Sequence, residues 1–156
     1  MPKFYDNIPG WFHASDLFDM VANKFFPQQS LFVEIGSYFG RSSCYMIESI
    51  NEKNSDIQFD IIDPWIWDKF FESVHKRTEN ERVYKSDKLR DEHRRIVELI
   101  GKDPYKIAEY YLNTFHVLNN KINLIKNTST EAVKKYQDNS IDFLYIDGDH
   151  SFSAVK

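Results

Sequence analysis

The chain has 156 residues, of which 42% are hydrophobic, 16% aromatic and 28% charged. Its length fits a single domain, and its apolar content excludes a disordered chain because enough side chains are present to form a core. A net charge of −4 gives no overall attraction to nucleic acid or to a membrane surface, so we expect neither as a partner. One cysteine, no signal-peptide core and no transmembrane-length apolar run together predict a cytoplasmic protein.

Helical and strand patterns alternate along the chain. Apolar side chains at helical spacing indicate the helices, and short apolar runs bounded by turn residues indicate the strands. The predicted elements are a helix from about Ser15 to Pro27, a strand at 31–35, a helix at 41–50, a strand at 57–62, helices at 81–101 and 105–118, a strand at 122–125, a short helix at 130–136 with Ser129 as its N-cap, and a strand at 141–146.

This alternation predicts an α/β fold in which parallel strands are joined by right-handed crossovers. A sheet of that kind binds ligands at the carboxyl ends of its strands. Three loops with chemically useful residues follow predicted strands, at Gly36–Gly40, at Asp63 and at 147–150. We therefore expect these loops to share one edge of the sheet.

The loop after the first strand lies in the segment LFVEIGSYFGRSS, at residues 31–43. Strand, glycine turn and helix N-terminus follow one another there, which gathers free backbone N–H groups where a nucleotide-like ligand can bind. Gly36 and Gly40 are separated by three residues, so the spacing departs from the dinucleotide pattern G-x-G-x-x-G. An ordinary β–α turn is the alternative interpretation.

Glu34 ends the first strand and is expected to be buried, where a charge needs partners. It is a candidate for orienting the glycine loop through backbone N–H groups, and its charge suits a cationic ligand. A purely structural hydrogen-bonding role is the alternative. Asp63, at the end of the second strand, is a candidate for accepting two hydrogen bonds from a ribose diol, although Asp-Pro also commonly opens a turn.

Asp147, Asp149 and His150 follow the fourth predicted strand directly. Two carboxylates and an imidazole at that position are suited to binding a hard divalent cation or to taking a proton from a hydroxyl. The alternative is a loop in which Asp149 or Ser151 caps a following helix.

Three segments carry a family resemblance, in the same order along the chain: VEIGSYFGRSS, FDIIDPW and SIDFLYIDGDHSFSAVK. They resemble the class I S-adenosylmethionine-dependent methyltransferases, specifically the group with I-D-G-D-H after strand four. The resemblance implies a Rossmann-like parallel sheet of strand order 3-2-1-4, flanked by helices. It also implies that 1–156 is one partial domain with a helical insertion at about 66–120, and that the C-terminal strands of the full fold are missing.

The resemblance implies roles for the candidate residues. Gly36, Ser37 and Gly40 would lie under the amino-acid part of S-adenosylmethionine, with Glu34 and Asp147 also in the cofactor site. Asp63 would hold the ribose, and Thr128 or Ser129 would shape the adenine pocket. Asp147 would also be the place for a divalent cation such as Mg²⁺. Asp149 would be the base, with His150 beside it as a second catalytic candidate.

The expected function is methyl transfer from S-adenosylmethionine to a hydroxyl of a small molecule or sugar. A non-catalytic S-adenosylmethionine-binding remnant or interaction module is an alternative, and an NAD-type nucleotide-binding protein is another, which the glycine spacing disfavours. Because the sequence stops soon after the fourth strand, we expect that strand to be an edge. We therefore expect a homodimer to cover it, with a rearranged element of the chain or an edge that is not stably covered as the alternatives.

Overall fold

The computed structural model describes residues 4–53, 56–80, 84–115 and 121–149. Among these residues four strands form one parallel sheet in the order β3-β2-β1-β4. Both the α/β class and the predicted strand order are confirmed. The strands are β1 (Ser30–Ile35), β2 (Ile57–Asp63), β3 (Ile122–Lys126) and β4 (Phe143–Ile146).

Six α-helices accompany the sheet in the described part of the chain. Two short 3₁₀ helices, Phe4–Asn7 and Val133–Lys135, flank them near the two ends. None of the described helices is long and apolar enough to cross a membrane. The helices are α1 (Ser15–Phe25), α2 (Arg41–Glu52), α3 (Lys69–Asn80), α4 (Asp87–Ile100), α5 (Pro104–Phe115) and α6 (Ser129–Ala132).

Three of these helices, α3 to α5, lie between β2 and β3, where the sequence predicts only two. The unpredicted α3 buries Phe71 and Thr78, which lie two turns apart among charged residues that mask the apolar spacing. The predicted start of α4 is wrong: the helix begins at Asp87, where the Ser86 hydroxyl accepts a hydrogen bond from the N–H of Leu89 at 3.3 Å. The first residues of the predicted helix 81–101 and the last residues of the predicted helix 105–118 fall in 81–83 and 116–120, which lie outside the described residues. The assignment of the chain to one partial domain stays a prediction.

The cap of α6 also differs from its prediction. Thr128, not Ser129, is the N-cap, because its hydroxyl accepts from the N–H of Glu131 at 3.3 Å. The fourth strand begins at Phe143 instead of residue 141. Asp142 lies in a bend before it: its N–H donates to the carbonyl of Leu31 at 2.9 Å, and its carboxylate, not a strand carbonyl, accepts from the N–H of Leu31 at 2.8 Å.

The two faces of the sheet have different partners. On β1, Phe32 and Glu34 point to the face that packs under α2, whereas Val33 points to the other face, against Ala132 of α6. The alternation follows from the two-residue repeat of a strand. It brings Glu34 onto the same side as the residues opposite it, Ile61 of β2 and Tyr145 of β4.

The inserted helices pack against the glycine loop. Phe39 of that loop is fully buried and contacts Phe71 of α3 and His93 of α4, with ring centroids 5.6 and 4.9 Å apart. Leu112 of α5 lies 3.3 Å from where a Cβ on Gly40 would be. The insertion is therefore part of the same hydrophobic core as the sheet.

Candidate ligand-binding site

The strand order brings four loops into a row along the carboxyl edge of the sheet. They follow β3, β2, β1 and β4, at residues 127–129, 63–65, 36–40 and 147–149 respectively. Every site residue predicted from the sequence lies in one of these loops or beside it, except His150, which lies outside the described residues. The parallel topology thus collects residues that are far apart in the sequence.

The first loop needs glycine at both of its ends. Gly36 has φ +88°, and a Cβ there would lie 2.4 Å from the carbonyl oxygen of Asp147 and 2.5 Å from the backbone of Gly148. Gly40 has φ +91° and is the residue before the first turn of α2. Gly36 therefore allows the loops after β1 and β4 to touch backbone to backbone.

Asp63 joins the loops after β1 and β2. Its Oδ2 accepts from the backbone N–H groups of Ser37 at 2.9 Å and Tyr38 at 3.1 Å, and its Oδ1 accepts from that of Trp65 at 2.7 Å. A carboxylate offers about four lone-pair sites, so one remains on Oδ1. Asp63 keeps the capacity for one of the two ribose hydrogen bonds expected of it, and burial raises the pKa of its carboxyl while these N–H groups oppose the rise.

Trp65 reinforces the same junction. Its indole N–H donates to the carbonyl oxygen of Tyr38 at 2.7 Å, and its side chain is 1% exposed. Both residues have positive φ, 42° for Trp65 and 54° for Tyr38, which is uncommon for aromatic side chains. The site thus holds two strained residues, each fixed by the other and by Asp63.

Glu34 lies beneath the glycine loop with no exposed surface. Its two carboxylate oxygens accept hydrogen bonds from the hydroxyls of Ser42 and Ser43, in the first turn of α2. The expectation of backbone N–H partners is wrong: the two serine hydroxyls take that place. Burial raises the pKa of Glu34 to about 7 despite these bonds, and the charges of Asp147 and Asp63 add to the rise.

Three carboxyl groups therefore meet at this edge, one from each of three adjacent strands. Asp147 follows β4, and its Oδ2 accepts from the hydroxyl of Tyr145 at 3.3 Å. Asp63 is the last residue of β2, and Glu34 lies on β1, the strand between β2 and β4. The concentration of negative charge favours a ligand with positive charge.

The loop after β3 lies beside Asp63, because the N–H of Asn127 donates to the carbonyl of Asp63 at 3.1 Å. Thr128 and Ser129 are exposed, and the Thr128 hydroxyl is already the cap of α6. Ser129 thus has the freer hydroxyl of the two for a ligand that extends along the edge toward β3.

The loop after β4 presents Asp149 at the surface and Asp147 half-buried. Within the ranges 4–53, 56–80, 84–115 and 121–149, no group of three or more His, Cys, Asp or Glu residues is arranged to hold a metal ion. The divalent cation at Asp147 stays a prediction.

The sequence did not single out the buried polar cluster in the insertion. The Tyr38 hydroxyl lies 3.3 Å from Nδ1 of His75 and 3.2 Å from the hydroxyl of Thr78, which connects the glycine loop to α3. Nδ1 of His93 lies 2.7 Å from the hydroxyl of Tyr111, and burial lowers the pKa of His93 to about 3. Histidines scattered through charged helices carry no spacing signal that would reveal this cluster.

The residues present fit S-adenosylmethionine, which the resemblance implies. The three carboxyl groups suit its positive charges, and Asp63 retains one acceptor site for a ribose hydroxyl. This fit rests on the chemistry of the side chains at the edge.

Comparison with known proteins agrees with this geometry. A family model described as a methyltransferase domain matches residues 33–156. The match begins on β1 and includes all four loops of the carboxyl edge. A search of curated proteins finds no match.

Proposed function

The chain belongs to the methyltransferase domain family of the class I group, and on that premise we propose that it transfers a methyl group from S-adenosylmethionine to a hydroxyl of a small molecule or sugar. The observation that carries the proposal is the meeting of Glu34, Asp63 and Asp147 at the edge where the glycine loop turns. A negatively charged edge suits a cationic nucleoside better than the anionic pyrophosphate of NAD.

In this proposal the residues of the edge divide the work of binding. Gly36 lets the loops after β1 and β4 meet backbone to backbone, and Asp63 takes one ribose hydroxyl on its remaining acceptor site. Ser129, with Thr128 beside it, borders the adenine. S-adenosylmethionine, when bound, supplies an electrophilic methyl group.

Catalysis then requires that the acceptor hydroxyl lose its proton as the methyl group arrives. Asp149, exposed at the end of β4, is the proposed base, with His150 as the neighbouring candidate. Fixing the acceptor in line with the methyl group contributes the rest, through proximity and orientation. Mg²⁺ at Asp147 would lower the pKa of a coordinated acceptor hydroxyl in the same way that it does for water.

Calorimetric titration with S-adenosylhomocysteine, S-adenosylmethionine and NAD tests the cofactor. We expect the first two to bind and NAD to give no heat of binding. Asp63→Asn should weaken binding, because an amide group would face the N–H donors of the loop and disturb it. Asp60→Asn is the matched control: Asp60 is equally buried on the same strand, but it points to the other face and bonds to Asn123 and Tyr136.

Tight binding of NAD with none of S-adenosylhomocysteine would refute the proposal. An equal loss of affinity in Asp63→Asn and Asp60→Asn would contradict the role of Asp63 in binding the ligand.

Methyl transfer to a panel of hydroxyl acceptors tests the reaction. Asp149→Asn should abolish transfer and leave S-adenosylhomocysteine affinity within about twofold. Asp138→Asn, an exposed acid before β4 and so at the opposite end of the sheet, should change neither. Cofactor binding without transfer to any acceptor would favour the non-catalytic binding module instead.

The homodimer stays a proposal of its own. Among the described strands, β4 pairs only with β1, so its other edge is unpaired there. Leu144 and Ile146 on β4 are 45% and 64% exposed. Sedimentation of the wild type and of Ile146→Lys tests it. A dimer that the substitution dissociates is expected, and a wild-type monomer at high concentration would refute it.

A further inference from the structure

A chain of hydrogen bonds runs from the strand below the site into the glycine loop. The Ser43 hydroxyl donates to Glu34, and its oxygen lies 2.7 Å from the hydroxyl oxygen of Ser37. Because the proton of Ser43 is directed to a carboxylate, the proton between the two serines must come from Ser37. Ionised Glu34 thus fixes the direction of both bonds.

Ser37 is held from two sides by buried acids. Its N–H donates to Asp63 at 2.9 Å, and its hydroxyl reaches Glu34 through Ser43. Its carbonyl accepts from the N–H of Gly40 at 2.8 Å, which closes the turn. Ser37 is 4% exposed, so its bonds set the shape of the loop.

The groups that face Glu34 come from three elements. On α2 they are the hydroxyls of Ser42 and Ser43; from β2 comes the charge of Asp63; and from β4 come Tyr145, directly opposite in the sheet, and the charge of Asp147. The two neighbouring acids oppose ionisation of Glu34, whereas the two hydroxyls favour it.

We propose that Glu34 is a positioning residue of the cofactor site: through Ser43 it orients Ser37, so that the glycine loop takes its ligand-binding form when Glu34 is ionised. We call the hydrogen-bonded series Glu34–Ser43–Ser37 the relay. The identity of the ligand rests on the proposed function, whereas the relay rests on these hydrogen bonds. When Glu34 is protonated, its O–H must point at a serine oxygen. If that oxygen belongs to Ser43, the Ser43 proton turns to Ser37, and Ser37 loses its acceptor.

This arrangement is sensitive to ordinary changes of pH, since the pKa of Glu34 is raised to about 7. If only the form with ionised Glu34 binds the ligand, the affinity should be about tenfold weaker at pH 6 than at pH 8, because most Glu34 side chains are protonated at pH 6 and ionised at pH 8.

The relay can be tested without any ligand, by following the Glu34 carboxyl carbon in NMR titrations and assigning its signal by Glu34→Gln. Ser37→Ala should raise the pKa of Glu34 by about 0.3, although Ser37 does not touch Glu34, because the bond from Ser37 to Ser43 strengthens the bond from Ser43 to Glu34. In a Ser43→Ala background the same change should have no effect, since the link is already broken.

Ser42→Ala is the matched control, because Ser42 also bonds to Glu34 but has no bond to Ser37 among those described. In that background Ser37→Ala should keep its full effect. Equal effects of Ser37→Ala in the Ser42→Ala and Ser43→Ala backgrounds, or none in the wild type, would overturn the relay.

Titration with S-adenosylhomocysteine at pH 6 and pH 8 then tests the consequence for binding. The wild type and Ser42→Ala should show pH dependence, whereas Glu34→Gln and Ser43→Ala should lose most of it. Binding with the same pH dependence in Ser43→Ala as in Ser42→Ala would overturn the positioning role. If no variant binds S-adenosylhomocysteine at all, the cofactor assignment fails, and the relay is then decided by the NMR titrations alone.

Discussion

The contact between the loops after β1 and β4 predicts a severe effect for Gly36→Ala. The added Cβ would lie 2.4 Å from the carbonyl oxygen of Asp147 and 2.5 Å from Cα and N of Gly148. All three are backbone atoms, so no side-chain rotation relieves the overlap. One of the two loops must move.

The expected loss of stability has two parts. A positive φ, +88° at Gly36, disfavours any residue with a Cβ by about 1–2 kcal/mol. Forcing an extra carbon into a filled space adds about 1–3 kcal/mol. We therefore expect Gly36→Ala to lower the free energy of unfolding by about 2–5 kcal/mol. Because the displaced segment contains Asp147, S-adenosylhomocysteine binding should be lost as well.

Urea denaturation gives the stability, and amide NMR shifts locate the displacement. Gly40→Ala is the matched control: its φ is +91°, but the atoms it meets at 3.3 Å belong to the Leu112 side chain, which can give way. Gly101→Ala adds a second control, with φ +81° and nothing within 4 Å. The reasoning is refuted if Gly36→Ala is no more destabilising than Gly40→Ala, or if the amides of 147–149 keep their shifts.

Three further predictions concern buried ionisable groups. For Glu34, the folded pKa of about 7 lies above the ordinary 4.5, so ionisation opposes folding. Relative to Glu34→Gln, the free energy of unfolding of the wild type should fall by about 3 kcal/mol between pH 4.5 and 7. Above that range it should fall no further. For His93, the folded pKa of about 3 lies below the ordinary 6.5, so the wild type should lose up to about 5 kcal/mol as pH falls through that window. His93→Phe should be less stable at pH 8, because the hydrogen bond between Nδ1 of His93 and the Tyr111 hydroxyl is lost, but it should lose less stability on acidification. Parallel urea titrations of both proteins would contradict this assignment. Asp63→Asn should lower the free energy of unfolding by about 1–3 kcal/mol at pH 7, because one amide N–H group must face backbone N–H donors. Unchanged urea midpoints would argue against a stabilising role for the three hydrogen bonds that Asp63 accepts.

Much of the fold followed from local patterns. The glycine turn at Gly36–Gly40, the proline after Asp63 and the short apolar runs each depend on neighbouring residues, and the structure has β1, α2 and β2 close to their predicted bounds. Helix α3 escaped prediction because its buried residues, Phe71 and Thr78, are too few among charges to show a period. Tertiary packing against the glycine loop stabilises that helix, and such packing has no local signature.

The sequence by itself determined which chemical groups reach the carboxyl edge, because strand ends and turn residues are set locally and a parallel sheet aligns them. Only the tertiary structure decided how those groups are used. Asp63 bonds chiefly to the backbone of the neighbouring loop after β1, and Glu34 bonds to Ser42 and Ser43. These partners are selected by the register between strands and by the packing of α2, since a buried carboxyl group must find donors wherever the fold brings them within reach.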